Sequence, residues 1–188
     1  MKIDRKTEIV ASAAKLFREK GYSAVTMRDI AADLDIKAAS LYNHISSKQE
    51  ILSLMILSIA DQYTTTIREI YSSNQLAIQK IEGVIDLHIR MTAQNADALA
   101  SLNNDWMHLP HGHLSSFLQM REEYEEIFRK MVREGMASGE LAANNPEIVI
   151  FSILSTLRTL YLWYGRKPDF DPEILQENLF RVLVRGIL

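Results

Sequence analysis

The sequence predicts an all-α protein in two parts: a small N-terminal domain of short helices and a larger helical bundle behind it. Three observations carry this. Apolar residues recur at three- and four-residue intervals along most of the chain. Alternating apolar and polar runs between tight turns, the mark of strands, are missing. All four prolines lie at or after Pro110, and the 188 residues include only seven glycines. With 47% apolar residues, a chain of this length can bury a sizeable core.

The elements follow in order. Ile9, Ala13, Leu16 and Phe17 form one face of a first helix from Asp4 to Lys20, and Gly21 stops it. Thr26 is an N-cap with Asp29 three residues on, and Val25 with Ile30 makes a hydrophobic staple, so a second helix is expected over Met27–Leu34. A break at Asp35-Ile36 leads to a third helix of about two turns, Lys37–His44. Ser47 and Glu50 form another capping box, opening a long fourth helix to Tyr71. Further helices are expected at Gln75–Gln94, Ala96–Met107 and His113–Ala137, with Gly139 as a stop. Asn145-Pro146-Glu147 starts the next helix, which Gly165 ends, and Asp171-Pro172-Glu173 starts the last.

Composition excludes several functions. There is no cysteine, hence no disulfide, thiol nucleophile or thiolate metal site, which fits a reducing cytoplasm. No signal peptide is evident, and the most apolar stretch, Ile148–Tyr164, is interrupted by Ser152, Ser155, Thr156, Arg158 and Thr159, so a soluble, cytoplasmic protein without a membrane partner is expected. No phosphate loop, HExxH, GxSxG or paired metal ligand set occurs, so neither an enzyme nor a cofactor is expected. His108, His111 and His113 have loop-like spacing with no acid beside them, and no metal site is assigned. The net charge of −3 is uneven: residues 1–50 hold nine Lys and Arg against seven Asp and Glu, and the remainder is acidic. That sign suits a DNA-facing N-terminal end, although chance surface charge gives the same asymmetry.

Two short helices joined by a tight turn and braced by a third form a helix-turn-helix unit, here residues 1–47. Its scaffold needs buried apolar residues; Leu16, Phe17, Ile30, Leu34, Ile36, Leu41 and Ile45 are suitably spaced. Its second helix must present small or polar groups to the major groove, and Lys37, Ala38, Ala39, Ser40, Asn43 and His44 are such groups. Thr26, Tyr42 and Lys48 stand at junctions where phosphates are gripped. Thr26 and Ser47 cap helices whether or not DNA is present.

Ala14-x-x-Phe17, Gly21-Tyr22, Thr26-x-x-x-Ile30-Ala31, Leu41-Tyr42 and Ser47-Lys48-x-x-Ile51-Leu52 together resemble the DNA-binding domain of the TetR (tetracycline repressor-like) family. The resemblance implies phosphate contacts from Tyr42, Lys48 and Thr26, with Lys37, Ala39, Ser40 and Asn43 facing the groove. The chain departs from the family pattern at Asp35, where glycine is usual, at Lys37, where a Ser-like cap is common, and at Ile45, where an aromatic is common.

Residues 48–188 are expected to form a helical ligand-binding and dimerisation domain. Arg121-x-x-Tyr124-x-x-x-Phe128, Glu134-Gly135-x-x-x-Gly139-Glu140-Leu141 and Leu162-x-Tyr164 before Pro168 are similar to regulators of fatty-acid or aromatic-acid catabolism, some of which answer to acyl-CoA thioesters. Trp106, Phe117, Met120, Tyr124, Phe128, Tyr161 and Tyr164 supply apolar and aromatic surface suited to a ligand, with Arg121 as a polar anchor; the competing assignment is a packed core with surface arginines. Ile148, Phe151, Leu179, Val182 and Leu183 recur at helical spacing on the last two helices, which pair with their copies in the family's dimers. The expected function is a dimeric, ligand-responsive regulator, a repressor of a palindromic double-stranded operator released by a small hydrophobic molecule. The alternative is a helical interaction module without ligand or DNA response.

Overall fold

The computed structural model describes residues 4–167 and 170–184; Pro168, used above as a landmark, lies outside them. The order is α1 (Arg5–Lys20), a 3-10 turn (Tyr22–Ala24), α2 (Met27–Asp33), α3 (Ala38–Tyr42), α4 (Lys48–Ser72), α5 (Ala77–Asn104), a second 3-10 turn (Trp106–His108), α6 (His111–Ala137), α7 (Pro146–Tyr164) and α8 (Pro172–Val184). No strand occurs among the described residues, and no helix there is long and apolar enough to cross a membrane.

Local chemistry fixes most helix ends. Gly21 takes φ +83°, and its N–H bonds the Phe17 carbonyl at 2.8 Å. The Thr26 capping box is complete: the Asp29 N–H donates to Thr26 Oγ1, and the Asp29 carboxylate accepts from the Thr26 N–H at 2.8 Å. Asp35 occupies the left-handed region at φ 52°, where the turn calls for glycine. The Asn145 side chain accepts from the Glu147 N–H at 2.9 Å, with Pro146 opening α7.

Four expectations need correction. The box at Ser47 is displaced: the Glu50 N–H donates to Ser47 Oγ, but the Glu50 carboxylate accepts from the N–H and hydroxyl of Ser46, at 2.8 and 2.7 Å. Residues Asn43 and His44 leave α3 in turns, their N–H groups bonding the Ser40 and Leu41 carbonyls. The two helices expected around residue 95 are one, α5, bent where Asn95 adopts φ −136° and ψ 30°. No proline or glycine stands there to end the helix, so one irregular residue bends it instead. Helix α6 begins at His111, two residues early, because the Leu114 N–H finds the Pro110 carbonyl at 2.8 Å.

The chain divides into two compact units. One takes the chain up to Ala60 together with Asp97–Leu118; the other takes Asp61–Ala96 and the chain from Gln119. Helices α4, α5 and α6 each contribute to both. The first unit buries Ile9, Ala13, Leu16, Phe17, Ile30, Leu41, Ile45, Ile51 and Ile56, while Leu34 and Ile36 are half-buried. Ser12 on α1 donates to Asp33 on α2 at 2.7 Å. The second unit buries Ile67, Ile81, Ile85, Phe128, Met131, Ile153 and Leu157. Gly135 belongs to that packing: a Cβ there would meet Ala77 Cβ and Leu141 Cδ1 at 2.8 Å.

Candidate nucleic-acid interface and a buried polar cluster

Helix α3 has one sealed residue, Leu41, fully buried against the first unit's core. Around it Lys37, Ala39, Ser40, Tyr42, Asn43 and His44 are all exposed, Tyr42 at 54%. One anchoring leucine thus turns a short helix into a presentation surface of small, polar and basic groups. Thr26 is exposed at the start of α2, its hydroxyl already engaged with Asp29 at 2.6 Å. This bonding holds the Asp29 carboxyl below its ordinary range.

Lys48 is placed differently. It is half-buried, and its ammonium donates to the carbonyls of Tyr22 and Val25, both at 2.7 Å, while standing 4.3 Å over the Tyr22 ring. Partial burial lowers the pKa of Lys48, against the opposing charge of Asp105. Two of its three ammonium protons therefore tie the start of α4 to the loop that precedes the Thr26 cap. The same Tyr22 ring stacks on His108 with centroids 5.0 Å apart. Arg18 pairs with Asp97 at 2.5 Å, and His113 Nδ1 meets Ser53 Oγ at 2.8 Å. The segment from Asp97 to Leu118 is thus bound to the N-terminal helices within one unit.

The residues expected to line a ligand site are divided. Trp106, half-buried, and Phe117, buried, belong to the first unit, with ring centroids 6.0 Å apart. Met120, Arg121, Tyr124, Phe128, Tyr161 and Tyr164 belong to the second. There Phe128 and Tyr161 are buried, Met120 and Tyr164 half-buried, and Arg121 exposed. Arg121 and Arg158 share Glu125, at 3.3 and 2.6 Å. Burial opposes the ionisation of Glu125, but the two guanidinium groups hold its carboxyl below the usual range.

Tyr124 is buried, and its hydroxyl lies 2.9 Å from His88 Nε2. Tyr63 of α4 joins them, its ring centroid 4.8 Å from His88 and 5.8 Å from Tyr124. Burial drives the His88 pKa down to about 3, with the Arg158 charge acting the same way, and raises both tyrosines. The three rings come from successive long helices and stay neutral at physiological pH.

On α7 and α8, Ile148, Phe151 and Val182 are 64%, 72% and 75% exposed, and Leu179 and Leu183 are half-buried. Among the described residues no group of three or more His, Asp or Glu could hold a metal ion.

Residues 74–187 match the family described as "Tetracyclin repressor-like, C-terminal domain", and residues 9–55 match "Bacterial regulatory proteins, tetR family". The chain belongs to the TetR family of bacterial transcription regulators. It is 26% identical over 188 residues to the HTH-type transcriptional repressor KstR2 of Rhodococcus jostii, covering 99% of this chain and 92% of that one. The fold is that of the ketosteroid transcriptional regulator KstR2 of Mycobacterium tuberculosis, with TM-score 0.92 and 20% identity over 100% of this chain and 96% of that one. It is also that of AibR, solved in complex with isovaleryl coenzyme A and operator DNA, with TM-score 0.82 and 18% identity over 96% and 98% of the two chains. A TetR-type regulator, not an enzyme, is therefore what the helix-turn-helix head serves.

Tyr63 and His88 are absent from the sequence-based ligand set. The periodicity did contain them: Tyr63 continues a face with Ile56, Ile59 and Ile67, and His88 one with Ile81, Ile85 and Thr92, all buried. A polar residue at a sealed position of an apolar stripe is the signal that identifies them.

Proposed function

We propose that this chain is a repressor that binds a palindromic double-stranded operator as a two-fold dimer and leaves it when a small hydrophobic effector binds the second unit. The observation that carries the DNA reading is the α3 surface, a row of exposed groove-sized side chains held by one buried leucine. Tyr42 and the α2 start, with Thr26, grip phosphates; Lys37, Ala39, Ser40 and Asn43 read the groove, with His44 at its rim. Lys48 serves mainly through the carbonyls it holds. The apolar side chains left exposed on α7 and α8 support a four-helix dimer seam. The KstR2 relative named as a repressor, and AibR with its acyl-CoA and operator, support the direction of control and the kind of effector. Effector binding releases DNA only if it prefers a conformation with misplaced α3 helices, a coupling of about 1–3 kcal/mol in typical cases. Helix α4, which contributes to both units, is the natural lever.

A gel shift against the protein's own upstream DNA tests the core of this proposal. A salt-sensitive dimer complex is expected, its log affinity falling linearly with log salt. No retained complex on any upstream fragment favours the interaction module instead. Replacing Leu179 and Val182 by Glu puts charge into the proposed seam, at a cost of several kcal/mol. Sedimentation should then report a monomer with no operator binding; a dimeric double variant locates the interface elsewhere.

A further inference from the structure

We propose that Tyr63, His88 and Tyr124 are the polar end of the effector site, and that they select an apolar molecule carrying a neutral oxygen, a ketone or a hydroxyl, over one ending in a free carboxylate. The assignment rests on the effector-responsive function proposed above and names the ligand class of that function.

The first support is convergence. Three polar rings from α4, α5 and α6 meet within 6.0 Å in an otherwise apolar interior. Phenylalanine at these positions fills the same volume without desolvating a hydroxyl or an imidazole. Second, the three rings are buried, yet Tyr63, His88 and Tyr124 retain 9%, 5% and 6% of their surface.

Third, the chemistry of the group is specific. His88 is held neutral by burial and by the Arg158 charge, and both phenols are held protonated. The Tyr124–His88 pair works in either sense. With the proton on Nδ1, Nε2 accepts and the phenol donates; with it on Nε2, the imidazole donates and the phenol oxygen accepts. A ligand carbonyl needs a donor and a ligand hydroxyl needs either, so both are satisfied without moving a charge. A carboxylate brings a full negative charge into this neutral cluster. The nearest counter-charge, Arg158, is already paired with Glu125 at 2.6 Å, and Glu125 also takes Arg121. An incoming carboxylate must expel Glu125 before it gains a partner.

Matched probes on one carbon skeleton test this in the intact protein: 2-undecanone, 2-undecanol and undecanoate, and 2-decalone, 2-decalol and decalin-2-carboxylate. Two quantities are read: affinity, from calorimetry, and the ¹⁵N shifts of the His88 ring. The ketone and the alcohol of at least one skeleton should bind tenfold or more tighter than its carboxylate and shift the His88 signals. In Tyr124→Phe and Tyr63→Phe the ratio of ketone to carboxylate affinity should fall toward one. A ratio taken within each variant cancels any general loss of fold, and the His88 shifts need no variant at all. Carboxylates binding as tightly as ketones, unmoved His88 signals with every ketone and alcohol, or ratios unchanged in both variants each overturn the proposal. An acyl-CoA series separates this from the parent function. Thioesters that release operator with His88 unmoved remove the neutral-oxygen site and leave the regulator; no release by any probe or thioester removes effector response itself.

Discussion

The DNA-binding head and the interior of the second unit use polar side chains in opposite ways. In the head, polar groups finish local structure: Thr26 and Asp29 close a helix end, Glu50 takes the Ser46 N–H and hydroxyl, and Lys48 binds two loop carbonyls. Two of these pairs, Thr26 with Asp29 and Ser46 with Glu50, are three and four residues apart, and Thr26, Ser46 and Lys48 are all at least partly exposed. In the second unit, Tyr63, His88 and Tyr124 meet across three helices inside an apolar core, where His88 and Tyr124 pair over 36 residues of chain. Surface polar groups specify backbone geometry at small individual cost. Buried ones carry a larger desolvation penalty, which the proposed recognition of an effector would offset.

Acid separates the two regions most sharply. The folded pKa of His88, about 3, lies below the ordinary imidazole value of 6.5. Between those values the unfolded chain takes up a proton that the native state refuses. Stability is thus full above pH 6.5 and falls as pH drops toward 3, by about 1.4 kcal/mol per pH unit in that window. Denaturant melts from pH 7 to 4 should show this slope, and His88→Phe should flatten it. An unchanged slope in His88→Phe would place the acid-sensitive group elsewhere, the depressed Glu50 carboxyl, at about 2, being the next candidate below pH 4.5.

Lys48 tests whether the head is organised as described. Lys48→Met keeps the stem and loses both charge-assisted bonds to Tyr22 and Val25, so the head should lose about 2 kcal/mol of stability. Operator affinity should fall with little change in its salt dependence. A direct phosphate contact instead lowers the slope of log affinity against log salt by about one, as is expected for a basic residue that does bind phosphate. Thr26→Ala removes the cap of α2 and should cost about 1 kcal/mol in thermal or chemical melts. Loss of operator binding far beyond that cost would give Thr26 a phosphate role as well.

The same contrast explains what the sequence revealed. The Thr26 box, the stop at Gly21 and the start of α7 at Asn145-Pro146 depend on residues a few positions apart, so spacing alone exposes them. Leu41 as the single anchor of α3 follows from one apolar residue among polar ones. The bend at Asn95 was legible only as a break, because nothing local says whether an irregular asparagine ends a helix or bends it. Trp106, Phe117 and Tyr124 stand out in the sequence by type alone, whereas their surroundings follow from the paths of α5 and α6, which put Trp106 and Phe117 in the first unit and Tyr124 in the second. Lys48 reads as an open cation in sequence because its carbonyl partners lie 26 and 23 residues earlier, in a loop whose path depends on the folded head.

The smallest expected effect concerns Asp35, the one described non-glycine residue with positive φ. Its backbone stands at φ 52° while its N–H bonds the Ala32 carbonyl and the following Ile36 N–H bonds the Ala31 carbonyl at 2.9 Å. The left-handed region costs an L-residue with a Cβ about 1–2 kcal/mol, somewhat less for aspartate. Glycine pays no such strain but gives the unfolded chain more freedom, worth about 0.5–1 kcal/mol. The difference favours Asp35→Gly by about 0.5 kcal/mol, while Asp35→Ala, with the Cβ and no compensating polarity, should lose stability. Both variants remove a negative charge from the turn between α2 and α3, so both should bind operator somewhat more tightly at low salt, with the gain shrinking as salt is raised. Opposite signs in stability with the same sign in affinity separate backbone strain from charge at one position. If Asp35→Gly and Asp35→Ala instead melt alike, the turn tolerates its Cβ without strain, and the aspartate contributes only its charge.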